Sequence, residues 1–231
     1  MGFDIQDFIL YFSRIVTLLL VIPIHECAHA WVANKLGDDT ALRQGRITLN
    51  PVAHFDLFGT VLMLLTGYGW AKPVPINPLR MKKYRAGIAL TALAGPVSNI
   101  IAALISALAY AVLISTETGA NAVYFSNEIT VLGCVGYLLQ YLVSINIGLA
   151  VFNMIPIPPL DGSNVLRYFT SEKYDRWMYQ HQREISMVFL IVILSLNRIP
   201  SRFNPLYLIS NFISSGIWNL VMLIPKAKWG W

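Results

Sequence analysis

Apolar residues fall in long runs separated by short polar stretches, and the lengths of those runs predict helices that cross a membrane. A spanning helix takes about 20 mostly apolar residues. Runs that approach or exceed this length lie at roughly 8–34, 86–114, 129–156, 185–198 and 205–225, the fourth being short for a span. The segment LFGTVLMLLTGYGW, 57–70, is too short to cross and is interrupted by Gly59, Gly67 and Gly69. It reads as a re-entrant or interfacial element, whose backbone must be satisfied by protein or water. The pattern predicts an all-α polytopic membrane protein of about five transmembrane helices, plus a re-entrant or interfacial segment with short extended strands. No internal repeat, low-complexity tract or flexible linker is present.

Composition supports lipid as the solvent. Hydrophobic residues make up 56% of the chain and charged residues 13%, and the mean hydropathy is +0.57, far more apolar than a water-soluble domain. Spans and short connections use up the 231 residues, so the chain reads as a single membrane-embedded domain over 1–231. The net charge of +5 sits in loops beside apolar spans, which points to membrane topology and away from nucleic acid. Cys27 and Cys134 lie in apolar surroundings and imply no disulfide framework.

The loop charges orient the chain. Lys35, Arg43, Arg46, Lys72, Arg80, Lys82, Lys83 and Arg85 lie between the first two spans, whereas 115–128 has no Lys or Arg. The first loop is therefore expected to be cytoplasmic, with the N-terminus outside. Arg167, Lys173, Arg176 and Arg183 continue the alternation, followed by Arg198 and Arg202 in a short turn. If 57–70 crossed fully, the basic stretch 72–85 would fall outside, so a re-entrant path is expected. Asp4 and Asp7, with no Lys or Arg before Arg14, argue against a cleaved signal peptide.

The first apolar run contains HECAH. On a helix His25 and His29 are four residues apart and share a face, so both imidazoles can hold one zinc with Glu26 beside them. A hydrolytic zinc site takes three protein ligands and leaves one position for water. The same five residues also occur on soluble amphipathic helices, where they merely face water. Within a transmembrane run, however, three ionisable groups are costly and demand a partner. Asp161, in NMIPIPPLDGSNVL, is the strong candidate for third ligand. Pro156, Pro158 and Pro159 forbid a regular helix, and Gly162 permits a tight turn that can aim Asp161 inward. By itself PIPPLDG also fits an interfacial turn with a solvated aspartate.

HECAHAW, GRITLNPVAHFDLFGT, GWAKPVPINP, ALAGPVSN and FNMIPIPPLDG together resemble the site-2 protease family of intramembrane zinc metalloproteases, in its short bacterial form. The likeness runs in order from about residue 15 to 170, and the pairing of HExxH with N-x-x-P-x-P-x-L-D-G is highly specific. It implies one Zn2+ per chain held by His25, His29 and Asp161, Glu26 as general base, and a catalytic core over about 8–165. The implied substrate is a transmembrane protein in the bilayer of the cell membrane, cut near the cytoplasmic side. Larger relatives carry a soluble peptide-binding or regulatory domain, for which these residues leave no room. Glu26 would take a proton from activated water and pass it to the leaving amine. Asn153, or alternatively Asn99, would donate an amide N–H to the oxyanion. Asn153 resembles the family asparagine near the zinc, while Asn99 fits a helix bridge equally well.

The stretch WAKPVPINP, 70–78, cannot be helical and could pair with an unwound substrate, as the edge strand proposed in the family does, or serve as a rigid loop. His54 is expected to make a structural hydrogen bond, His181 to be solvated, and Cys27 to pack as a small residue. Gly95, Ser98, Ala92, Ala94, Ala102 and Ala103 suit close helix packing. The alternative function is a metal carrier or a non-catalytic zinc-binding scaffold. Glu26, and the lack of further ionisable groups along the later spans, favour the protease.

Overall fold

The computed structural model describes residues 11, 12, 14–66, 69–126, 130–196 and 200–229. Asp4, Asp7, Gly67 and Arg198 lie outside them. Among the described residues four helical stretches are long and apolar enough to cross a membrane: Arg14–Lys35, Tyr84–Ile114, Val131–Asn153 and Pro205–Lys226. The run expected at 185–198 lies in a helix of 15 residues, Gln182–Leu196. Its described part is about 22 Å long at 1.5 Å per residue. Among the described residues there is no strand, and 71–77 is neither helix nor strand; Pro73, Pro75 and Pro78 and the residues before them favour extended backbone, as Asn77 shows.

The chain divides into two compact units, one formed by residues up to Ser98 with Asn153–Ile193, the other by Asn99–Phe152 with Leu194 onward. In the first unit, α1 (Ile22–Lys35) continues directly from a π-helical turn, Thr17–Val21. Pro23, near the start of α1, has no N–H for the carbonyl four residues earlier, and the wider π turn accommodates that lost bond. A short helix, α2 (Leu57–Thr66), follows. A Cβ on Gly59 would strike the Trp70 backbone, and one on Gly69 would strike Gly59 and Met63. The chain thus leaves α2 and returns to its start, and the two glycines permit the approach.

The long helix α3 (Tyr84–Ile114) begins in the first unit, and its residues from Asn99 on belong to the second. The first unit closes with α5 (Asp161–Leu166), α6 (Glu172–Gln180) and most of α7 (Gln182–Leu196). The second unit contains α4 (Val131–Asn153) up to Phe152, and α8 (Pro205–Val221). Its core is a stripe of small residues on α3, Ala103, Ala107 and Ala111, against Val143, Ile147 and Val221. The other face of α3 exposes Ile101, Ile105, Leu108 and Val112. Alanine lets helices approach closely where lipid supplies no hydrophobic driving force, and the larger apolar side chains face the acyl phase.

Polar pairs fix the packing of this unit. Asn99 Nδ2 donates to Asn146 Oδ1 at 2.8 Å, and Asn146 Nδ2 donates to the Leu142 carbonyl at 2.8 Å. Both asparagines are buried. Gln140 donates to the Tyr110 hydroxyl at 2.6 Å, which also meets the Tyr124 hydroxyl at 2.9 Å. Replacing Asn146 by leucine leaves the Asn99 amide short of its acceptor, at a cost of about 1 kcal/mol. Thermal unfolding in detergent should show this loss for Asn146→Leu and partial recovery in Asn99→Leu/Asn146→Leu.

Candidate active site

His25 and His29 project from α1 and are buried, at 8% and 6% exposure. Asp161 opens α5 immediately after the proline-rich turn. Ser186 on α7 donates to the Pro158 carbonyl at 3.0 Å and fastens that turn. A Cβ on Gly162 would strike the carbonyls of Met154 and Ile155, so glycine is what lets α5 start so close to the preceding chain.

The result is a cluster of three electron-pair donors. His25 Nε2 lies 3.0 Å from His29 Nε2, and Asp161 Oδ2 lies 3.2 Å and 3.3 Å from them. Tetrahedral zinc with bonds of about 2.0–2.1 Å places its ligand atoms about 3.3–3.4 Å apart. Asp161 Oδ2 is buried without a hydrogen-bond partner among the described residues. Burial raises the Asp161 pKa, but the two imidazoles, 3.2 Å and 3.3 Å from Oδ2, overcome this and bring it down to about 2, so the group is a carboxylate. Two imidazole nitrogens and a carboxylate oxygen at these separations fit zinc.

Thr91, on which the sequence was silent, and Gly95, expected only to pack a helix, both border this cluster. His29 Nδ1 donates to the Thr91 carbonyl on α3 at 2.7 Å, which leaves the Nε2 lone pair for a metal. Gly95, one turn further on, faces both imidazoles, and a Cβ there would collide with each. Its role is thus to admit the histidines as well as to pack a helix. Pro96 follows inside α3 and removes the donor for the Ala92 carbonyl, loosening the helix at this level.

The remaining candidates are distributed around the cluster. Glu26 is half-buried beside His25 on α1, and Asn153 is the half-buried last residue of α4. Asn99 is engaged with Asn146 in the other unit. His54 is fully buried, with Nε2 on the Thr48 carbonyl at 2.9 Å, in line with a structural role. His181 is exposed and stacks on Trp177. Cys27 is a half-buried free thiol outside the donor cluster. Within 72–77 the Val74 and Ile76 amides have no hydrogen-bond partner among the described residues.

The model of peptidase family M50 matches residues 13–196, from the first span through α7. The chain belongs to peptidase family M50. This is the site-2 protease family of intramembrane zinc metalloproteases, and the zinc-carrier alternative is not favoured. The chain is 36% identical over 181 residues to "Putative zinc metalloprotease YwhC" of Bacillus subtilis (strain 168), covering 78% of this chain and 80% of that protein. No solved structure matches. In this M50 member, Gly95→Ala should push the imidazoles apart and weaken zinc binding by roughly tenfold or more, the scale seen when ligand-orienting contacts are lost. Competition with a fluorescent zinc chelator measures the change.

Proposed function

We propose that this chain is an endopeptidase that hydrolyses peptide bonds within or beside transmembrane segments of membrane proteins. The observation that carries the reading is the convergence of His25, His29 and Asp161, whose donor atoms all lie within 4.8 Å of one another. These three residues hold one zinc, which when bound supplies Lewis acidity and lowers the pKa of water. Glu26, on the same helix as the two histidines, accepts the proton of the attacking water and delivers it to the leaving nitrogen. The Asn153 amide, at the end of α4 beside the proline-rich turn, donates to the oxyanion.

A substrate helix keeps its carbonyls in internal hydrogen bonds and must unwind before it can be cut. The extended run at Val74 and Ile76 offers such a peptide an edge for backbone pairing. The excess of Lys and Arg in the first loop puts this edge and the site near the cytoplasmic face, with the N-terminus outside.

The test is cleavage of a tagged single-span membrane protein that the wild type cuts in reconstituted vesicles, with zinc measured on the same samples. Glu26→Gln should abolish cleavage and keep zinc, whereas Asp161→Ala should lose both. Asn153→Ala should slow turnover by about 10²–10³, the effect of removing one oxyanion donor. Val74→Pro should impair cleavage with zinc retained. Full activity in Glu26→Gln would overturn the assignment of the base.

A further inference from the structure

Between the two histidines and α3, the chain buries two charged side chains away from the donor cluster. Asp38 is 0% exposed and Arg46 is 4% exposed. Charged groups are rarely sequestered without a specific structural return. Both hold the backbone of the same proline-rich run. The Arg46 guanidinium donates to two successive carbonyls, Nη2 to Lys72 at 2.5 Å and Nη1 to Pro73 at 3.1 Å. Asp38 Oδ2 accepts the Asn77 amide at 2.6 Å, while its Oδ1 accepts the backbone amide and hydroxyl of Thr40 at 3.0 Å and 2.5 Å. The cation takes carbonyls at one end of the run, and the anion takes an amide at the other.

The sequence of the run explains why such anchors are needed. Pro73, Pro75 and Pro78 have no N–H, so this stretch can join a strand ladder on one side at most and is not held by strands on both. The Lys72 amide is bound to the His54 carbonyl at 2.9 Å, and the Asn77 amide to Asp38. Val74 and Ile76 keep amides without a partner among the described residues. Two residues apart in an extended chain, they point to the same side. Burial pushes the Arg46 guanidinium below its ordinary value, and the charge of Glu26 opposes this, so the basic anchor lies within electrostatic reach of the proposed base.

We infer that Asp38 and Arg46 are positioning residues that clamp the two ends of the run 72–77 and so set the edge at Val74 and Ile76 for pairing with an extended substrate backbone. This rests on the edge role proposed above. The clamp touches no metal donor, and its effect is therefore on peptide binding and not on zinc. Arg46 is suited to the task because its planar fork spans adjacent carbonyls, which the single ammonium of lysine cannot do.

Two hydroxamate probes separate these effects in zinc-loaded protein in detergent micelles. Acetohydroxamate engages the metal alone, whereas an apolar tripeptide hydroxamate also lays a peptide along the edge. Wild type should bind the tripeptide probe at least about tenfold more tightly, as expected for two net backbone hydrogen bonds. Arg46→Met, Arg46→Lys and Asp38→Asn should lose at least about fivefold in affinity for the tripeptide probe while acetohydroxamate binding changes less than about twofold and zinc stoichiometry stays constant. An unchanged preference in all three variants would overturn the clamp and leave the edge intact. A wild type without preference would remove the edge and the clamp with it. Loss of both probes together in the conservative variants Arg46→Lys and Asp38→Asn would make the pair merely structural and also overturn the inference.

Discussion

Three unshared electron pairs brought within about 3 Å of one another in a low-dielectric interior repel each other unless a cation lies between them. In this chain they come from His25, His29 and Asp161, separated by as many as 136 residues yet gathered to 3.0–3.3 Å. Much of the first unit serves that convergence. The π turn and Pro23 deliver HECAH in register, α3 offers a carbonyl to one imidazole and a glycine beneath both, and a proline-rich turn fastened by Ser186 presents the carboxylate. A zinc bound there would offset the desolvation of all three groups at once and link metal binding to the packing of this unit.

The polar groups of the chain divide between two tasks. Those of the second unit join helices: the Asn99–Asn146 pair and the Tyr110 hydroxyl are satisfied by neighbouring helices beside a core of alanines. Several of those in the first unit bind backbone instead: His29 donates to the Thr91 carbonyl, Asp38 accepts the Asn77 amide and Arg46 donates to the Lys72 carbonyl. This division matches the physics of a bilayer, where each buried polar group needs a partner and each partner restricts what the helix can do.

The pair His25 and His29 was legible because a four-residue spacing places both on one helical face whatever the surroundings. Asp161 was legible because prolines 156, 158 and 159 exclude a helix and leave a turn to aim it. Gly95 was not: in a run of small residues, a glycine that admits two imidazoles is written identically to one that admits a neighbouring helix. Arg46 read as a loop charge, and Asp38 drew no reading, because their burial is set by tertiary contacts to residues 72–77, which local pattern does not encode. Hydropathy suggested a span at 185–198, of which the helix Gln182–Leu196 carries the described part.

The measurement that tests the central claim most directly is zinc K-edge X-ray absorption on the purified protein. A four-coordinate shell of nitrogen and oxygen donors at about 2.0–2.1 Å, with the outer scattering of two imidazoles and no sulfur, is what the His25–His29–Asp161 cluster predicts. A sulfur scatterer near 2.3 Å would place Cys27 or Cys134 on the metal, and an absence of bound zinc after reconstitution would deny the site altogether; either result would contradict the account.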